Sequence, residues 1–385
     1  MGGFPHAGDL LPSGGRPKAR DLLKARDLLK ARALLSKGWL TTMLSLAIAL
    51  LMGAVFILFG GNNPIEIYGK LFSGALGSRT GIMQTLLQAT PLLFCGLAVS
   101  VSMKAGLLNL GVEGQLYMGA LAAALVGIYV KGLPAFLHIP LCMLFAMAGG
   151  AAWAFLPVWL KIKRGTHEVV TALMMNYIAI LFVDYMTNYP LRTKNATVAQ
   201  SDVLQATAML PKLVARSQVT PAIIVGMVLA VVLWFMLRST TLGYQITLVG
   251  SNRSASAATG VPVSRIMVIT MLISGVCAGL AGGMEVMGTH GRLIQGFSPG
   301  YGFDGIAVAV LGASPLSVIV SALLFGALRA GGMALSYGTN MSVKFINALQ
   351  GVIILLIAAP MLSYRILTAF DRPLRRMSRK NSEGV

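Results

Sequence analysis

Residues 83–130 read MQTLLQATPLLFCGLAVSVSMKAGLLNLGVEGQLYMGALAAALVGIYV, two apolar runs joined at residues 105–115 by AGLLNLGVEGQ. A membrane helix takes ~20 apolar residues; the first run has that length, and the second, over 116–130, is short. Backbone in lipid must satisfy its own N–H and C=O groups, so a helix is the expected element. An interruption at membrane depth survives only where protein or water meets its amides. The stretch therefore reads as a broken membrane helix bordering a polar route.

Working outward, the same pattern returns. GFSPGYGFDG at 296–305 precedes a short apolar run at 303–313. Further runs lie at 39–60, 133–160, 168–188, 221–237, 266–288, 315–332 and 345–362, making about ten crossings. The four from Met83 and the four from Ile266 place their interruptions correspondingly but enter from opposite sides. The expected fold is an all-α polytopic membrane protein of about ten transmembrane segments, arranged as two inverted repeats with broken helices.

Composition agrees. Hydrophobic residues make up 56% of the 385 and charged residues 11%, against about 25% charged in soluble proteins. The net charge of +19 would suit nucleic acid, but its position argues for lipid instead. Eight basic residues lie between Arg16 and Lys37 and six between Arg365 and Lys380, beside spans, where anionic lipid and the positive-inside bias account for them. No nucleic-acid partner is expected.

With the N-terminus inside, Lys161, Lys163, Arg164, Arg238, Arg253 and Arg265 all fall on cytoplasmic loops, and both basic ends do too. The organisation expected is a basic cytoplasmic arm over 1–38, a transmembrane domain over 39–362 and a basic cytoplasmic tail over 363–385. Within the domain, 189–220 is an extracytoplasmic loop and 238–265 a cytoplasmic one. The arm carries the repeat KARDLL, KARDLL, KARALL from Lys18, which reads either as a basic helix on the membrane surface or as a disordered arm. No cleavable signal peptide is expected, since the first apolar run is long enough to span.

Cys95, Cys142 and Cys277 lie in apolar runs and His6, His138, His167 and His290 are scattered, so neither a disulfide framework nor a metal site is expected. The sequence has no GxxxxGK[ST], GxSxG, HExxH or CxxC. Nucleotide hydrolysis and covalent chemistry therefore have no recognisable residues here. The chain is expected to be a transport subunit and not an enzyme.

Candidate pathway residues sit at the two interruptions. Asn109, Glu113 and Gln115 are polar groups near membrane depth, which are costly unless paired or lining a wet cavity. The competing reading has Glu113 capping a helix or pairing with Lys104. At the second interruption, Glu285, Phe297, Tyr301 and Asp304 combine carboxylates with aromatic rings, as a sugar or nucleobase site would. The alternative there is an interfacial aromatic belt with Asp304 as a cap. Gly275, Gly279 and Gly283 form a four-spaced stripe that reads as helix packing. In the 238–265 loop, Asn252 or Ser254 can cap a short helix over Ala255 to Thr259 that Gly260 and Pro262 stop, a shape suited to docking in a partner's groove.

GLLNLGVEGQLYMGA at 106–120, HEVVTALMMNYI at 167–178, GSNRSASAATGV at 250–261 and GYGFDGIAVAVLG at 300–312 resemble, in order and spacing, the permeases of ABC importers of the ribose, nucleoside and branched-chain amino acid class. His167 stands where that family usually has Asn, and the N-terminal arm is outside its pattern. The resemblance adds Asn176 to the pathway candidates and implies ATPase coupling through Gly250, Asn252, Ala257, Ala258 and Gly260. It further implies a cytoplasmic ABC ATPase subunit that hydrolyses ATP, a second similar permease forming a heterodimer, and an extracytoplasmic solute-binding protein. The location implied is the bacterial inner membrane, and the solute a nucleoside, with a simple sugar as alternative. An ion-coupled secondary transporter is the rival class on repeats and broken helices alone.

Overall fold

A computed structural model describes residues 47, 50–55, 57–59, 61–194, 196–214, 217–338 and 351. The chain divides into two units, one of residues 63–350 and one of 1–62 with 351–385. The helices that follow belong to the first. The expected spans 39–60 and 345–362, the KARDLL arm and the basic tail lie outside the described residues or nearly so.

Eleven α-helices are described in this unit. They are α1 (Pro64–Leu76), α2 (Arg79–Lys104), α3 (Val112–Tyr129), α4 (Ala135–Arg164), α5 (Glu168–Asn188), α6 (Ala222–Ser239), α7 (Thr241–Ser251), α8 (Arg253–Ala258), α9 (Val263–Met284, continued by a π turn Glu285–His290), α10 (Tyr301–Gly312) and α11 (Pro315–Gly338). Pairing outside helices is limited, among the described residues, to isolated bridges Arg192–Ser201 and Gln200–Ile294. Among the described residues, seven helices are long and apolar enough to cross a membrane: α2 to α6, α9 with its π turn, and α11. The expected run 303–313 is the shorter α10.

Two helices were not anticipated. In α1, Asn63 caps by accepting from the Ile65 N–H at 3.0 Å and Pro64 takes a first-turn position, where its missing N–H costs nothing. In α7, Thr240 accepts from the Gly243 N–H at 3.1 Å. The second half of the first broken helix also begins earlier than expected, at Val112, so Glu113 and Gln115 occupy its first turn.

Burial divides the helices. In the apolar windows of α2, α3 and α9, 83%, 78% and 72% of residues are buried, against 22–28% for α4, α5 and α6. The exposed residues of the outer helices are themselves apolar, such as Leu181 and Phe182 on α5 and Val228 and Phe235 on α6. That is the surface a lipid solvent selects, since in hydrocarbon an apolar face costs nothing to expose.

The order long helix, interruption, shorter helix, long helix occurs twice, in α2–α3–α4 and in α9–α10–α11. Each leading helix packs on the later two of the other set: α9 against α3 and α4, α2 against α10 and α11. Small residues make both exchanges possible. A Cβ on Gly275 or Gly283 would lie 2.6 Å from Ala154 or Ala146 of α4, and one on Gly279 would collide with the Ala146 carbonyl. On the other side, a Cβ on Gly96 would lie 2.7 Å from Val308 of α10 and 2.9 Å from Val318 of α11. The glycine stripe is thus a packing seam, matched by Ala146, Gly150 and Ala154 across it.

Candidate functional site

The first interruption is held by amides. Asn109 is fully buried and uses both halves of its carboxamide. Nδ2 donates to Gln115 Oε1 at 3.0 Å and Ser274 Oγ at 2.8 Å, and Oδ1 accepts from the Gly111 N–H at 3.0 Å and Gln115 Nε2 at 3.1 Å. Ser274 in turn donates to the Ala98 carbonyl at 2.6 Å. One polar cluster therefore ties the interruption to α9 and α2. From α5, Asn176 Oδ1 accepts from the Gly114 N–H at 2.8 Å while Nδ2 donates to the Leu110 carbonyl at 2.7 Å. These bonds satisfy backbone groups that a continuous helix would have paired, which is the condition for breaking one in a membrane.

The two interruptions meet at their helix starts. Glu113, in the first turn of α3, accepts from the Gly302 N–H in the first turn of α10 at 2.6 Å. A carboxylate there satisfies an otherwise unpaired N–H and the positive end of the helix dipole. Both starts carry glycine, a hydrophobic residue, an acid and glycine: Gly111-Val-Glu-Gly114 and Gly302-Phe-Asp-Gly305. That internal match is a sequence signal for the junction that periodicity alone does not reveal. The second acid, Asp304, takes a different partner. Arg329 of α11 reaches its Oδ2 through Nε at 3.0 Å and Nη2 at 2.6 Å, and the guanidinium also lies 4.8 Å from the Tyr301 ring centre.

Beside this junction is a cavity of about 310 Å³, at the small end of the range that holds small ligands. The first turns of α2 contribute Gln84, Leu87 and Gln88, and the loop before α6 contributes Gln218. The π turn supplies Glu285, Thr289 and His290, and the second interruption Gly296, Phe297, Pro299 and Tyr301. The Tyr301 hydroxyl donates to Gln88 Oε1 at 3.2 Å. Phe297 packs on Tyr117 with ring centres 4.7 Å apart and meets His290 edge-on at 6.3 Å. The 189–221 segment is fastened alongside by main-chain bonds from Ser201 N–H to Leu293 O at 2.8 Å, Leu204 N–H to Gly291 O at 2.9 Å and Gln295 N–H to Ala199 O at 3.0 Å.

Of the residues singled out from sequence, Glu285, Phe297 and Tyr301 line this cavity. Asn109, Gln115 and Asn176 brace the first interruption, Glu113 joins the two helix starts, and Asp304 pairs with Arg329. The wall residues Gln84, Gln88, Gln218, Thr289 and His290 were missed. Glutamines four apart on an otherwise apolar span were the available signal, since they share one helix face.

At the far end of α2 the 238–265 segment forms a second site. Asn252, not Ser254, caps α8, its Oδ1 accepting from the Ala255 N–H at 3.0 Å. The helix closes with Val261 N–H to Ser256 O at 3.1 Å and Gly260 N–H to Ala257 O at 3.0 Å, a Schellman stop in which Gly260 takes φ +83°. Ala257, Ala258 and Gly260 are exposed, and only Ser256 of α8 is buried. Gly250 lies where α7 crosses the end of α2, with no room for a side chain against the Lys104 carbonyl.

The comparisons with known proteins accord with this geometry. The model of a family described as the permease component of branched-chain amino acid transport systems matches residues 81–358. The chain is 35% identical to the guanosine ABC transporter permease protein NupP of Bacillus subtilis, over 83% of this chain and 93% of that one. It is 33% identical to the glucose ABC transporter permease protein TsgB13 of Haloferax volcanii (86% and 90%) and 32% identical to the nucleoside ABC transporter permease protein NupB of Lactococcus lactis (83% and 90%). A family match spanning both interruptions, the cavity and α8 leads to one conclusion: this chain belongs to that permease family and is a membrane-spanning permease subunit of an ABC importer.

Proposed function

We propose that the solute is an uncharged nucleoside, that the 310 Å³ cavity is its station in the membrane, and that α8 receives the push from a separate ATPase. The observation that carries the solute reading is the cavity wall. Three glutamines, one carboxylate, one histidine and the rings of Phe297 and Tyr301 line it, and no lysine or arginine does among the described residues. Amides offer paired donors and acceptors that match a base edge, and aromatic rings supply a stacking face. A phosphate or free carboxylate on the solute would find no cation there and would face Glu285. The guanosine and nucleoside permeases among the relatives support the same reading. The glucose permease relative favours a sugar as the competing solute.

The exposed, small-residue α8 supports docking in a groove of a cytoplasmic ATPase, which would place Gly250, Asn252, Ala257, Ala258 and Gly260 at the contact. In this reading the partner hydrolyses ATP and this chain binds no cofactor of its own. A second, similar permease completes the pore as a heterodimer, and a solute-binding protein delivers from outside. The chain then lies in a bacterial inner membrane with α8 and both chain ends cytoplasmic, the side on which Lys161, Arg164, Arg253 and Arg265 gather.

The test is uptake of radiolabelled nucleosides into vesicles carrying the whole importer. Vanadate-sensitive uptake of nucleoside, competed by unlabelled nucleoside and not by glucose, is expected. Competition by glucose alone would transfer the assignment to sugars.

A further inference from the structure

We infer that Glu285 grips the vicinal hydroxyls of the solute's ribose and so makes this permease discriminate ribonucleosides from 2′-deoxyribonucleosides. The inference rests on the nucleoside reading and assigns the two ends of the solute to different walls.

The cavity walls differ in chemistry. Gln84 and Gln88 of α2, and Gln218 of the loop before α6, present carboxamides, each of which both donates and accepts. The π turn presents Glu285, whose carboxyl oxygens accept. A base edge alternates donors and acceptors and pairs with amides. Two neighbouring hydroxyls are two donors at carboxylate spacing, and an acidic residue is the usual partner of a ribose hydroxyl in dinucleotide sites. Phe297, also in the lining, offers a ring face on which a base stacks.

Glu285 is held for such a role. It is 4% exposed yet borders the cavity, with Thr289 four residues on in the same turn. His290 Nε2 lies 3.7 Å from Oε2, too far for a hydrogen bond. A carboxyl group has several lone-pair sites, so acceptor capacity is left for a solute. The backbone shows the same emphasis. α9 is α-helical up to Met284 and passes into a π turn at Glu285, closed by the Gly291 N–H on the Val286 carbonyl at 2.9 Å. Such turns cost regular hydrogen bonding and recur at functional sites. Here the turn brings Glu285, Thr289 and His290 onto one wall.

The experiment uses the complete importer in proteoliposomes with its own solute-binding protein, comparing wild type with Glu285→Gln and Glu285→Asp. Uptake of a ribonucleoside and its 2′-deoxy counterpart is measured for a purine and a pyrimidine. Wild type is expected to favour the ribonucleoside by about tenfold or more, as leaving a buried acceptor without its hydroxyl partner implies. Glu285→Gln is expected to shrink that ratio to within about threefold of unity without altering the purine-to-pyrimidine ratio, and Glu285→Asp to restore part of it. Because the binding protein is common to all three, a change in the ratio belongs to the permease. A Glu285→Gln importer that loses ribo and deoxy uptake equally, or keeps the wild-type ratio, overturns the inference while leaving nucleoside transport standing. Wild type that carries no nucleoside overturns both.

Discussion

Arg253 donates through Nη2 to the carbonyl oxygen of Gly106 at 3.0 Å, across 147 residues of sequence. Arg253 is the first residue of α8, and Gly106, with φ +66°, is where the chain leaves α2 for the first interruption. Gly250 packs on the same spot, the carbonyl of Gly250 lying 3.2 Å from where a Gly106 Cβ would be. One hydrogen bond and one glycine contact thus join α8 to the interruption, and under the proposed coupling role a displacement of α8 would pass through them. Under that role, Arg253→Ala is expected to leave ATP hydrolysis by the importer within about twofold of wild type while solute moved per ATP falls several-fold, because the bond removed joins α8 to the interruption and not to the proposed ATPase. Parallel assays of phosphate release and uptake in the same vesicles check this. An unchanged ratio would remove the contact from the transmission path.

The shape of α8 itself depends on its cap. Asn252→Ala leaves the first-turn N–H groups to water and should cost the helix about 1 kcal/mol, whereas Asn252→Asp should cost little. Faster amide exchange at Ala255 in the alanine variant, with slower uptake, is the expected pair of results. Gly260→Arg places a side chain at φ +83° on the face proposed to dock, and this substitution or deletion of Ala255 to Thr259 should abolish transport while membrane insertion persists.

Much of this was legible because membrane helices write themselves as long apolar runs. Seven expected spans match seven crossing helices to within a few residues, and the Asn252 to Gly260 helix could be read from its cap and stop. The partners of the polar residues were not legible. Nothing local in Asn109 or Asn176 says that each will satisfy backbone groups of one interruption, since Asn176 is 62 residues from the Gly114 N–H it accepts. The cavity glutamines escaped for the opposite reason: Gln84 and Gln88 sit within an apolar run whose average character hides them. α1 was missed because its exposed face, including Ile65 and Phe72, interrupts no hydrophobic pattern that a core would impose.

Glu113 offers a direct check on the junction. Its carboxylate takes the Gly302 N–H at 2.6 Å in a place 3% exposed, so Glu113→Ala leaves a buried donor unsatisfied at a cost of about 1–3 kcal/mol. Glu113→Gln keeps an acceptor oxygen and should lose less. The expected order of both thermal stability in detergent and uptake rate is wild type, then glutamine, then alanine. Glutamine and alanine variants of equal stability would mean that the bond to α10 contributes nothing.

The seam between α9 and α4 admits a sharper test, because its failure would be steric. At Gly279 any Cβ meets the Ala146 carbonyl and lies 3.0 Å from the Gly150 Cα, and these are main-chain atoms of packed helices that cannot step aside alone. Gly279→Ala should therefore separate the helices and cost about 1–3 kcal/mol, and Gly279→Leu more. Gly69 of α1 also sits in a helix, but a Cβ there would have nothing within 4 Å, so it should accept alanine with no loss and gain up to about 1 kcal/mol of helix propensity. Melting temperatures of the solubilised protein measure both. If Gly279→Ala melts with Gly69→Ala, the helices are not held in contact by backbone approach, and the exchange of leading helices between the two halves loses its physical basis.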